Sequence, residues 1–193
     1  DKIGVIKNLL TKADKILIGG GMSYTFMKAQ GLEIGTSICE MDKLDLAKEL
    51  LELGKGKLVL PIDFKVTKEF SNDAEIRSIK FDSFNSNEMG LDIGPKTLEL
   101  YKTILADAKT VVWNGPVGVF EMETFSKGTI ALGNYISEST ASGSFSLVGG
   151  GDSVAAVKQF NFSNKVSYVS TGGGAMLESL EGKTLPGIKA LEE

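Results

Sequence analysis

Residues 144–160 read SFSLVGGGDSVAAVKQF: a short apolar run, three glycines, then an amphipathic pattern opened by an acid. A run of that length bounded by glycine predicts a buried strand, and the residues after Asp152 predict a helix. The same sequence of events recurs along the chain. Lys15–Ile18 (KILI) ends in Gly19-Gly20-Gly21, Thr110–Trp113 (TVVW) ends in Asn114-Gly115-Pro116, and Val166–Val169 (VSYV) ends in Ser170-Thr171-Gly172-Gly173-Gly174. Helical patterns lie between them, over 2–13, 23–29, 42–53, 95–108, 121–139 and 152–160, with a short one at 175–180. A further strand is expected at Lys57–Leu60, and residues 64–92 read as a small β excursion or a loop. Strands alternating with helices predict an α/β fold, a Rossmann-like three-layer αβα sandwich with a mostly parallel sheet.

In such a sheet the four glycine turns fall together at the carboxyl edge, where ligands bind. Glycine lets backbone N–H groups approach a ligand, and the helix that follows favours an anion at its N-terminus. A single GGG turn is equally well explained as chain reversal. Four of them exceed what short connections require, and a phosphate-bearing ligand is the better reading.

Composition narrows the chemistry. The 193 residues carry a net charge of −4 and no histidine, so a Ser-His-Asp triad, a His-ligated metal and imidazole acid–base catalysis are excluded. No basic cluster points to nucleic acid or an anionic membrane surface. The single cysteine, Cys39, excludes an internal disulfide and suits a reducing cytoplasm. No apolar stretch reaches the roughly 18 residues that would span a membrane. The chain opens Asp1-Lys2-Ile3 without an initiator Met or a signal pattern, and is expected to be a fragment or a processed piece.

Standard phosphate motifs are incomplete. Gly182-Lys183-Thr184 imitates the end of a P-loop, but Leu177 stands where its first glycine is required. Gly19 and Gly149 each open a G-x-G pattern, and Tyr24 and Val154 replace the third glycine. Glu40, about 20 residues beyond Gly19, stands where a ribose-binding acid would. An NAD-dependent oxidoreductase therefore stays as an alternative.

Six segments, in order, carry a resemblance: IGGGMSYTF (18–26), LPIDF (60–64), GLDIGPKT (90–97), WNGPVGVFE (113–121), GGGDSVAAV (149–157) and STGGGAMLESLEGKTLPG (170–187). Together they closely resemble phosphoglycerate kinase, over nearly the whole chain except 64–86. The resemblance implies phosphoryl transfer between 1,3-bisphosphoglycerate and Mg-ADP, giving 3-phosphoglycerate and Mg-ATP in glycolysis, in the cytoplasm. It implies that residues 1–193 are the C-terminal, nucleotide-binding domain of a two-domain protein that is monomeric at full length. By the same resemblance the phosphoglycerate-binding domain, and a strand that precedes this domain in the family, are expected to be missing from these residues, so the sheet is expected to lack its first strand. The isolated chain is then expected to hold nucleotide and not to turn over, and in practice to be a binding module without catalysis.

The same resemblance supplies site roles. Gly19, Gly20, Gly21 and Ile38 match one wall of an adenine pocket, with Gly90 and Leu91 opposite; for Ile38, core packing is an equal reading. Glu121 matches the carboxylate that holds the ribose, against the alternative of an ordinary surface acid. Asn114, Gly115, Pro116 and Gly118 match the loop along the sugar and phosphates. Gly150, Gly151 and Ser153 match phosphate-binding positions at a helix start. Asp152 matches the Mg²⁺ carboxylate, with helix capping as the alternative or an added role. Gly172, Gly173 and Gly174 match a second helix start aimed at the moving phosphoryl group. Lys2 matches a lysine that neutralises its charge, and without the resemblance it reads as a solvated helix lysine. Because the acceptor is already ionised, phosphoryl transfer needs positioning and charge neutralisation more than a general base.

Overall fold

The computed structural model describes residues 2–171. Within them lie α1 (Ile3–Leu9), β1 (Ile16–Leu17), α2 (Met22–Ala29), α3 (Leu44–Leu53), β2 (Leu58–Val59), β3 (Asp63–Thr67), β4 (Arg77–Lys80) and β5 (Met89–Ile93). There follow α4 (Pro95–Ala106), β6 (Thr110–Trp113), α5 (Lys127–Ala141), β7 (Phe145–Val148), α6 (Gly151–Gln159) and β8 (Tyr168–Val169). The alternation of strand and helix is the expected α/β order. The helix expected from residue 121 begins instead at Lys127, after a 3-10 turn at Glu123–Phe125. Residues 114–126 are thereby free to form a long loop. The Gly172-Gly173-Gly174 turn and the helix expected at 175–180 lie outside the described residues.

The parallel strands form two ladders, β1–β2 and β6–β7–β8. No ladder joins them among the described residues. At their carboxyl ends the Gly20 N–H donates to the Val117 carbonyl at 3.2 Å. Tyr101 on α4 helps hold β1 to β2, its hydroxyl lying within hydrogen-bond reach of the Ile18 and Val59 carbonyls. Burial raises the Tyr101 pKa well above the usual tyrosine range, so the phenol stays protonated and can donate there.

Alternation along β1 and β2 produces the layers. Leu17 and Val59 pack with Val111, Trp113, Leu132 and Ile136, in the core shared with α4 and α5. Their neighbours Ile16, Ile18 and Leu58 pack with Ile6, Phe26 and Leu50, in the core shared with α1, α2 and α3. Successive side chains of a strand point to opposite faces, so β1–β2 is covered on both sides by helices. This is the three-layer αβα arrangement expected.

Residues 63–93 form a three-stranded antiparallel sheet of order β4–β3–β5, resolving the segment that the sequence pattern left between strand and loop. Tyr24, Phe64 and Phe84 pack as a tilted and edge-on aromatic trio beneath it. Arg77 on β4 donates to the buried Glu88 carboxylate at 2.9 and 2.7 Å. That guanidinium holds the Glu88 pKa down at about 2, against the cost of burial.

Two helices borrow their N-terminal caps from the strands of this sheet. Gly94, at the N-cap of α4, has no side chain, and Asp63 on β3 accepts the N–H groups of Lys96 (2.9 Å) and Thr97 (2.8 Å). At α5, Asp92 on β5 accepts the Gly128 N–H at 3.0 Å. Helices open with unpaired N–H groups, so each carboxylate satisfies donors that the helix cannot.

Candidate nucleotide site

The glycine turns after β1, β6 and β7 meet as expected. Gly20 and Gly150 have φ of +67° and +95°, and Gly115 has +112°, values that disfavour any other residue. Around Gly115 several candidate residues converge. Its N–H donates to the Ser153 hydroxyl, and its carbonyl accepts from the Trp113 indole N–H at 2.8 Å. A Cβ at Gly115 would lie 3.2 Å from the Lys2 ammonium, and one at Gly150 would lie 3.4 Å from the Asn114 amide. Lys2, at the start of α1, is therefore part of this cluster and not a remote helix lysine. Ser153 is fully buried, which leaves its hydroxyl to fix the Asn114-Gly115-Pro116 turn.

Asp152 sits in the first turn of α6 and is exposed. Its carboxylate makes no hydrogen bond within the helix start, whose N-cap is Gly150 without a side chain. The capping alternative is thus not adopted, and the carboxylate is left facing solvent beside the phosphate-type turn. No cluster of three metal-ligating side chains occurs among the described residues. A single carboxylate completed by phosphate oxygens and water is a donor set suited to Mg²⁺, which keeps several waters and takes few protein ligands.

The other wall is more closely packed than bare glycines would suggest. A Cβ at Gly19 would lie 2.4 Å from a Val117 methyl, and one at Gly21 would lie 3.0 Å from an Ile38 methyl. At Gly90 the space is taken by Tyr24, whose hydroxyl oxygen would lie 2.3 Å and nearest ring carbon 2.5 Å from a Cβ. At these three positions glycine admits a protein neighbour. Ile38 itself is 72% exposed, so core packing does not account for it. Its segment is fastened to β5 by the Gly90 N–H donating to the Ser37 hydroxyl at 2.9 Å. Leu91 is buried, and its carbonyl accepts the Val119 N–H at 2.9 Å. Gly118 and Pro116 are half-buried in that loop, and Glu121 is exposed at its end.

Asp92, inside the GLDIGPKT motif, is a residue to which the sequence pattern assigns no role. Its signal was an acid between the apolar Leu91 and Ile93 of a strand. It is 1% exposed, and its oxygens touch the backbone at both Gly118 and Gly128. Burial pushes its pKa up to about 7, opposed by the Gly128 and Ile93 N–H groups and by Lys65.

Comparison with known proteins bears directly on this arrangement. The family model described as phosphoglycerate kinase matches residues 1–183. The chain belongs to the phosphoglycerate kinase family. It is 60% identical over 193 residues to a phosphoglycerate kinase of Macrococcus caseolyticus, covering all of this chain and 48% of that one. A Listeria monocytogenes phosphoglycerate kinase is 56% identical over the same span, again with 48% of its length covered. Among solved structures, the phosphoglycerate kinase of Coxiella burnetii superposes with a TM-score of 0.94 at 48% identity, covering 99% of this chain and 49% of that one. The Pyrococcus horikoshii enzyme superposes at 0.83 with 32% identity, covering 99% of this chain and 48% of that one. The chain spans about half the length of the phosphoglycerate kinases it matches. No helix among the described residues is long and apolar enough to cross a membrane.

Proposed function

We propose that this chain is the nucleotide-holding half of a phosphoglycerate kinase, binding Mg-ADP or Mg-ATP while the rest of the full-length protein binds phosphoglycerate. The observation that carries the proposal is the convergence of Lys2, Asn114, Gly115, Gly150 and Ser153 at one end of the parallel strands, beside an exposed and unengaged Asp152. In this reading the phosphoryl group passes between 1,3-bisphosphoglycerate and ADP. Gly150 and Gly151 present the start of α6 to the nucleotide phosphates, where N–H groups and the helix dipole favour anions, and the buried Ser153 holds that start against the Gly115 turn. Asp152 would hold Mg²⁺, which neutralises phosphate charge when bound. Lys2 adds positive charge beside the Gly115 turn, and the family resemblance assigns Gly172–Gly174 to the moving phosphoryl group. Gly19–Gly21, Ile38, Gly90 and Leu91 shape the base pocket. Asn114, Pro116 and Gly118 follow the sugar and phosphates, with Glu121 on the ribose hydroxyls.

Catalysis in this scheme is charge neutralisation and alignment, and the lack of histidine costs nothing because the acceptor oxygen is already ionised. Glycolysis, a cytoplasmic location and a monomeric full-length protein follow from the same reading. The chain by itself is a binding module, since half of the substrate-holding surface lies elsewhere in a full-length protein.

Titration calorimetry tests this. The wild-type chain binds Mg-ADP, Asp152→Ala weakens that binding, and NAD gives no heat. Binding of NAD in preference to Mg-ADP would instead establish the oxidoreductase alternative. Turnover by the 193-residue chain alone, in a coupled assay with 3-phosphoglycerate and Mg-ATP, would contradict the binding-module reading.

A further inference from the structure

We propose that Asp92 is a positioning residue for the nucleotide site, its buried carboxylate locking the 114–121 loop and the first turn of α5 onto β5. The proposal rests on the nucleotide-site reading given above. Three contacts carry it. Asp92 Oδ2 accepts the Gly128 N–H at 3.0 Å, fixing where α5 begins. Asp92 Oδ1 accepts the Ile93 N–H at 2.9 Å, which holds the side chain in one orientation on its own strand. Its carboxylate also fills the space beside Gly118, where a Cβ would lie 2.4 Å from Oδ1.

These contacts reach the loop by two routes. Directly, Gly118 rests on the carboxylate. Indirectly, the α5 start that Asp92 fixes also carries Thr129, whose hydroxyl accepts the Val117 N–H at 3.3 Å. The neighbouring Leu91 carbonyl adds the Val119 bond. Loop residues 117–119 are thus tied to β5 and α5 immediately before Glu121, so a shift at Asp92 is felt where the ribose is held.

The ionised form is the one that makes both backbone bonds, because a protonated carboxyl loses acceptor capacity on one oxygen. The charged or titratable groups bearing on it are Lys65, its register partner on β3, and Tyr24 on α2. From α5 and the loop it meets Gly128 and Gly118. Ionisation here costs folding stability. The folded pKa is raised to about 7 from 3.8, so stability falls as pH rises between those values and is level above them. A carboxylate kept on β5 at such a cost, packed against the 114–121 loop, fits a positioning role better than a stabilising one.

The test is Mg-ADP titration of the wild-type chain and of Asp92→Asn at pH 6 and pH 8. Asparagine keeps the volume and one acceptor, and turns an N–H toward one of the two backbone donors. At pH 8 the variant is expected to bind about tenfold more weakly, the scale of losing one hydrogen bond to a charged group. At pH 6 the gap narrows, because wild-type Asp92 is largely protonated there. Nucleotide titration is common to both proteins and cancels in their ratio. A structural role alone would change the unfolding midpoint and leave the affinity of the folded protein equal. Should Asp92→Asn fail to fold, the wild type answers alone: the Gly128 and Ile93 amide resonances must titrate between pH 6 and 8 together with Mg-ADP affinity, once the ionisation of free ADP, measured separately, is taken out. Equal affinities at both pH values, or amides that do not titrate with affinity, overturn the Asp92 proposal and leave the site reading intact. No Mg-ADP binding by wild type overturns both.

Discussion

The loop 114–121 and the turn 149–153 both follow a parallel strand, yet they are held in opposite ways. The loop is fastened at four points, three by side chains and one by a backbone carbonyl: Ser153 at Gly115, Thr129 at Val117, Asp92 at Gly118 and the Leu91 carbonyl at Val119. The turn carries Asp152, exposed and without a bond at the helix start. The loop uses protein groups to hold its shape, while the turn carries a charged group that no protein group at the helix start engages. A site built this way separates rigidity from ligation, as preorganised sites must if binding is not to be spent on ordering the loop.

Substitutions along this contrast should form a graded series in stability. Gly118→Ala is expected to cost the most, about 3 kcal/mol, because its methyl would meet the buried Asp92 carboxylate at 2.4 Å and the Phe125 carbonyl at 2.8 Å. Urea unfolding of the variant checks this, and a cost under about 1 kcal/mol would mean the loop is looser than its contacts imply. Thr129→Val comes next, at about 1–2 kcal/mol, since it keeps the shape and leaves the buried Val117 N–H without its acceptor. Ser153→Ala should cost about 1 kcal/mol, measured as a shift of the thermal midpoint, by removing the acceptor for Gly115. Asp152→Ala should change stability by less than about 0.5 kcal/mol while lowering Mg-ADP affinity at least tenfold. A large stability loss at Asp152 would erase the contrast, because the carboxylate would then be part of the scaffold.

Acid offers a separate handle on the scaffold. The Glu88 pKa is depressed to about 2 from 4.5 by Arg77, so the pair's contribution is complete above the unfolded value and is lost as pH falls toward 2. Unfolding midpoints of wild type and Arg77→Met should therefore differ at pH 6 and converge as pH approaches 2.

How the site became legible follows from where its signals lie. Gly115 and Gly150 could be marked in the sequence because left-handed turns after apolar runs demand glycine locally. Asp152 could be marked because it is an acid inside such a turn. Asp92 and Asp63 could not be given their roles in that way. Each caps a helix more than 30 residues away along the chain, and a lone acid inside a strand names no partner. The start of α5 was misplaced by six residues for the same reason. Glu121–Ser126 have a helical composition, but the cap that fixes the start comes from β5. Gly19 and Gly90 carry no side chain of their own, and only packing reveals Val117 and Tyr24 in those spaces.

By itself the sequence determined the alternation of strand and helix, the family, and the glycine turns that close the parallel strands, since each depends on residues adjacent in the chain. The tertiary structure decided which groups are engaged and which are left unengaged. Asp92 is buried and bonded because β5, α5 and the 114–121 loop close around it, and Asp152 stays exposed because nothing at the start of α6 takes it up. Two carboxylates of identical chemistry thereby acquire different surroundings, through burial and bonds between segments that the chain order keeps apart.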